Sequence, residues 1–144
     1  MLSALVPFAW DAIQTGVKSS VQQEVNAGAR YISERLKSEI RNATGINTVT
    51  TTSLSLSTSS PATNPTVIDL SSGNIRITQG AGSPVNLNSA NTLVTNLTFT
   101  DFTSPDAKTK HIQFVITLAA SYSAARSEYQ DTIVVESSAE VRSN

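Results

Sequence analysis

The first forty-odd residues constrain this chain more than any other stretch. From Met1 to about Thr44 the sequence reads as one long helix. Apolar residues recur at Ile13, Val17, Val21 and Val25, and again at Ile32, Leu36 and Ile40, with Ala29 and Ala43 in step. Four-residue spacing, with a seven-residue step from Val25 to Ile32, gathers them on one helix face. Lys18, Gln22, Asn26, Arg30, Glu34, Lys37 and Arg41 fall on the other face and can stay in water. Gly28 lies beside the stripe and costs up to ~1 kcal/mol against alanine, which a close approach by a strand or second helix would rationalise. Asn42-Ala43-Thr44-Gly45 reads as the stop, with Gly45 available for a left-handed cap.

The two halves of this helix differ. Through Ile13 the residues are almost all apolar, and Asp11 is the only charge. A helix that is apolar on all sides needs burial on all sides. At ~1.5 Å per residue the whole helix spans roughly 65 Å, whereas a compact domain of this length is ~30 Å across. The helix is therefore expected to project, its N-terminal half needing a partner outside its own domain. Residues 1–13 lack a basic start and a small-residue cleavage site, so they do not read as a signal peptide. They are also shorter than the ~20 apolar residues of a membrane-spanning helix, although they look like the second half of one. Pro7 kinks the helix if it lies inside it, or starts it well if it is the first helical residue.

Composition excludes several functions. A net charge of −1 offers no electrostatic case for nucleic acid or an anionic surface. Without cysteine there is no disulfide framework, thiolate nucleophile or Cys-ligated metal. Charged residues are 15% of the chain and Ser plus Thr about a quarter, a balance found in exported and fibre-forming β proteins.

From Thr48 the texture turns to β. Leu54 and Leu56 alternate with serines inside a Thr48–Ser57 strand, and Ser59–Pro65 is a loop. Thr66–Leu70 and Asn74–Gln79 flank Ser71-Ser72-Gly73 as a hairpin with a three- or four-residue connection. Val85 and Leu87 make a short strand, and Leu93–Phe102 a longer one. His111–Ala120 alternates strictly, Ser121–Glu128 is a loop, and a last strand ends near Arg142. The expected class is α+β, with the helix packed by its C-terminal half on one antiparallel sheet of about six or seven strands. Residues 1–45 form the helix (1–13 apolar, 14–45 amphipathic) and residues 46–144 a β domain. The helix–sheet contact is expected at Val25, Ala29, Ile32, Leu36 and Ile40.

Three features carry a resemblance to a known family. The run Met1-Leu-Ser-Ala-Leu-Val-Pro-Phe is similar to the later half of its N-terminal segment, where small and aliphatic residues end in a proline. Ala29 to Ala43 resembles its helix end, with a leucine, a basic residue and an Ile40-Arg41-Asn42-Ala43 run into the first loop. Leu54-Ser-Leu, Thr66 to Leu70, Asn74 to Ile77 and Leu93 to Phe99 follow each other as its strands do. The chain thus resembles a type IV pilin-like protein, most similar to the minor pseudopilins of type II secretion systems, in layout over its whole length. The family's glycine, methylated phenylalanine and assembly glutamate have no counterpart here, so the resemblance implies about fifteen further residues before Met1.

The resemblance implies a structural subunit of a pilus or pseudopilus. Leu2, Leu5, Val6, Pro7, Phe8, Trp10 and Ile13 would be the assembly helix, resident in the inner membrane and later in the fibre core. Assembly would exchange lipid for packing against neighbouring copies or related pilins, in head-to-tail contacts that do not close. The β domain would lie outside the cytoplasm, in the periplasm or at the cell surface, with Ser59–Pro65 and Ser121–Glu128 facing outward. The alternative is a fibre-tip or adhesin-type binding module oligomerised by its helix. A coiled-coil stem keeps 3.5-residue spacing over several heptads, and the four-residue steps here drift away from it.

No catalytic residue, metal site, cofactor or small-molecule substrate is expected. His111 is the only histidine and reads as a strand-start surface residue. A triad through Asp101 or Asp106 has no nucleophile-elbow pattern behind it. Two carboxylates between Asp101 and Asp106 fall short of the six to eight oxygens of a calcium site. Asn42-Ala43-Thr44 and Asn96-Leu97-Thr98 match glycosylation sequons, as chance allows in a Thr-rich chain.

Overall fold

A computed structural model describes residues 2–106, 108–121 and 131–141, with side chains from Val21 onward. Helix α1 runs over Leu2–Asn42. Eight strands follow: β1 (Gly45–Val49), β2 (Ser53–Ser57), β3 (Thr66–Ser71), β4 (Asn74–Gln79), β5 (Val85–Asn86), β6 (Thr92–Asp101), β7 (His111–Ala120) and β8 (Thr132–Glu140). They form two antiparallel sheets, one ordered β1-β2-β3-β4-β5 and one ordered β6-β7-β8.

This corrects the expected class. The described chain is predominantly β, and eight strands in two sheets replace the single sheet of six or seven. Alternation tells which face of a strand is buried, but not which strands share a sheet. Leu54, Leu56, Ile68, Ile75 and Ile77 of the first sheet and Leu97, Phe99, Ile112, Phe114, Ile116 and Leu118 of the second all enter one core. The expected Thr48–Ser57 strand is a hairpin, closed where the Thr50 amide donates to the Ser53 carbonyl at 2.8 Å. Gly45 does not cap the helix in a left-handed conformation; it opens β1, paired with Ser57. Leu87 lies beyond β5 and is buried. Most of the expected Ser121–Glu128 loop and the strand end at Arg142 lie outside the described residues.

The lower part of α1 packs on β7 and β8. Val21, Val25, Ala29, Ile32, Leu36 and Ile40 are all buried. Each large one contributes roughly 1.5–3 kcal/mol by leaving water. On the sheet, Ile112, Phe114, Ile116 and Leu118 share a face with Ile133, Val135 and Ala139. Gly28 sits over Leu118: a Cβ there would lie 3.2 Å from Leu118 Cδ2, so the glycine permits this approach.

The two sheets meet at β6. The Phe99 amide donates to the Thr51 carbonyl at 2.9 Å, and the Val94 amide to the Gly73 carbonyl at 2.8 Å. Both acceptors are in the hairpin turns of the first sheet. The β3–β4 turn holds two residues, not three or four, because Ser71 pairs with Asn74. Ser72 (φ 51°) and Gly73 (φ 77°) are both left-handed, as the tightest hairpin turns require. Buried Asn88 completes the crossing: its Oδ1 accepts the Ile75 amide at 3.0 Å, and its Nδ2 donates to the Thr92 carbonyl at 3.0 Å and to Asn74 Oδ1 at 3.1 Å.

Two substitutions test this frame by urea denaturation. Asn88→Ala leaves the buried Ile75 amide unpaired and is expected to cost about 1–3 kcal/mol. Gly73→Ala would put a Cβ 2.1 Å from Leu93 Cδ1 at positive φ and is expected to cost about 1–3 kcal/mol. Adding Leu93→Ala removes the steric part of that loss and leaves the backbone part.

Candidate functional site

The buried stripe of α1 follows a regular register. The buried residues Val21, Val25, Ala29, Ile32, Leu36 and Ile40 step by four, four, three, four and four. That is an eleven-residue repeat, which follows an almost straight line along a helix of ~3.6 residues per turn. Continued toward the N-terminus, the same repeat meets Trp10, Gln14 and Lys18. At ~100° per residue the positions of Leu2, Leu5, Val6 and Ile13 fall roughly 110–150° round the helix from that line, and those of Phe8, Trp10 and Val17 roughly 70–90°. The side chains of Ile13 and Val17, expected to extend the stripe of Val21 and Val25, lie outside the described residues.

The side chains of Leu2, Leu5, Val6, Pro7, Phe8, Trp10 and Ile13 lie outside the described residues, while their backbone is helical. Pro7 is inside the helix, not at its start, and supplies no N–H for the carbonyl four residues back. Among the described residues no helix is long and apolar enough to cross a membrane. The 41 residues of α1 extend about 62 Å, and the longer of the two strands it packs on, the ten residues of β7, about 33 Å. One sheet of that length cannot accompany the whole helix.

The end of the helix on which its buried stripe begins is fixed by the sheet. Ser89 Oγ donates to Glu24 Oε1 at 3.2 Å, and the Ser121 amide donates to the Asn91 carbonyl at 2.8 Å. The C-terminal end of β7 therefore lies toward the Glu24 end of the packed segment. At the opposite end, the Val141 amide donates to the Lys110 carbonyl at 2.8 Å. Ser59 to Ala62 is exposed, as expected of an outward loop.

Charges on the lower helix stay local. Lys37 pairs with Glu34 at 2.8 Å and Arg35 with Glu39 at 3.0 Å. The hydrogen bond and charge of Lys37 hold the Glu34 carboxyl below its ordinary range. Both pairs are surface pairs one turn apart, where only a few tenths of a kcal/mol are at stake.

The Asp101–Asp106 loop turns its carboxylates inward. Asp101 Oδ1 accepts the Thr103 amide at 2.9 Å. Asp106 Oδ1 accepts from Ser104 Oγ at 2.6 Å and from the Lys108 amide at 3.1 Å. The Ser104 hydroxyl, then the Lys108 amide, keep the Asp106 carboxyl below its ordinary range. Among the described residues no three His, Cys, Asp or Glu side chains gather as metal ligands. His111 begins β7, half-buried, and its carbonyl accepts the Phe102 amide at 2.8 Å.

Comparison of the chain with protein-family models, with curated proteins and with solved structures returns no match.

Millimolar calcium is expected to leave the thermal midpoint unchanged. A site saturated 100-fold over its dissociation constant would add about 2.7 kcal/mol, a shift that thermal unfolding resolves easily.

Proposed function

We propose that the chain is a structural subunit of a filament of the type IV pilus or type II secretion pseudopilus kind, assembling through the N-terminal half of α1. The observation that carries this reading is the change of helix face. The lower stripe is occupied by the subunit's own β7 and β8. By sequence register Leu2, Leu5, Val6 and Ile13 fall roughly 110–150° round the helix from that stripe.

Leu2, Leu5, Val6, Phe8, Trp10 and Ile13 then require cover from lipid or from other helices. In this reading the subunit is held at the inner membrane by its apolar helix, with the β domain outside the cytoplasm, until assembly. Exchanging lipid for neighbouring helices gains packing rather than release of water. Gln14 and Lys18, which continue the lower stripe by register, stay out of that contact.

A binding module on a coiled-coil stem fits less well. A left-handed coil needs a seven-residue repeat, whereas the lower helix repeats in eleven and has its stripe covered by its own domain.

The absence of cysteine makes a direct test possible. Ile13→Cys is expected to form disulfide-linked copies under oxidation in membranes or filaments from the producing cells. Lys18→Cys, on the other face, is expected to remain monomeric. Equal cross-linking at both positions, or none at either, would sink the reading.

A further inference from the structure

We propose that the cleft between α1 and β5 binds a neutral, polyhydroxylated ligand of the saccharide class. The inference stands independently of filament assembly and goes beyond the sequence, which gave no small-molecule site.

The cleft encloses about 350 Å³, between Tyr31 and Arg35 on the helix and Gln79 to Leu87 around β5. That is within the usual ~300–1,000 Å³ of small-ligand sites. Its rim is unusual for this surface. Tyr31 is 54% exposed and Val85 59%, two of the largest apolar exposures among the described residues. Its floor is the buried pair Ile77 and Leu87. An exposed aromatic ring at a cleft also lined by apolar side chains offers a flat surface to the C–H face of a pyranose.

The polar groups beside it are uncommitted. Among the described residues, the Tyr31 hydroxyl, the Ser83 hydroxyl and the carboxamides of Gln79 and Asn86 have no side-chain hydrogen bond. A carboxamide presents a donor and an acceptor in one plane, which matches a pair of adjacent hydroxyls. Arg35 is the one charged residue among those lining the cleft. Its Nε lies 3.0 Å from Glu39 Oε1 without a directed hydrogen bond, so its charge is balanced while donors remain. A balanced cation does not call for an anion, and a neutral polyol suits the site better than a phosphate or carboxylate.

The cleft is open to water, so affinity is expected in the millimolar range. The same ring chemistry belongs to free sugars and to polysaccharide chains. The test is an amide NMR titration of the full chain, held in a detergent with a phosphocholine head so that no glycoside competes. Cellobiose and cellotetraose are added to about 50 mM, well above a millimolar dissociation constant.

Saturable shifts confined to residues around Tyr31, Gln79, Ser83 and Asn86 are the expected result. Tyr31→Ala is expected to weaken binding about tenfold or more, with Tyr31→Phe close to the parent. Asn86→Ala, on the exposed strand β5, is expected to weaken it as well. Tighter binding of the tetramer assigns the site to a polysaccharide, and equal binding to a free sugar or chain end. No saturable shift with either sugar, shifts centred elsewhere, or unchanged affinity in Tyr31→Ala overturns the proposal.

Discussion

The packing of one helix face on β7 and β8 is the contact on which the rest of the domain depends. Ile32, Leu36 and Ile40 are fully buried there, against a sheet face built from Ile112, Phe114, Ile116 and Leu118. Without the helix, that sheet would expose a continuous apolar face to water, which few soluble domains tolerate. Gly28 eases the approach, since a Cβ there would lie 3.2 Å from Leu118 Cδ2 and displace it by a few tenths of an ångström. The loss in helix propensity is small beside the burial it permits.

The first sheet is attached to this unit by a few directed polar contacts as well as by apolar burial. β6 donates backbone hydrogen bonds to carbonyls in two hairpin turns, and Asn88 joins the amide of Ile75 to the carbonyl of Thr92. Hydrogen bonds satisfied inside a core add little net stability, but their absence costs more than their presence gains. They therefore fix which arrangement of the two sheets is allowed. The polar outer face of the second sheet, with Gln113 bonded to Glu136, stays in water.

The helix joins two demands that face different ways. Its lower half satisfies its stripe within the subunit, while in the upper half the same register runs through the polar positions Gln14 and Lys18. The cleft beside Tyr31 lies on the domain's own portion of the helix, separate from that apolar segment.

The long helix, its buried stripe from Val21 to Ile40 and the burial phase of β2, β4 and β7 were legible in the sequence, because helix and strand periods are local and differ. So was the reason for Gly28, since a glycine beside an apolar stripe suggests a close neighbour. The hairpin at Thr50 to Ser53 was missed because threonines and serines suit strands and turns alike. Asn88 was missed because an asparagine in a loop gives no sign that it will be buried. The division into two sheets and the cleft beside β5 were decided only in three dimensions. Alternation fixes one face of each strand, but strand partners, the crossing at Asn88 and the juxtaposition of Tyr31 with Val85 depend on contacts between residues distant in the chain.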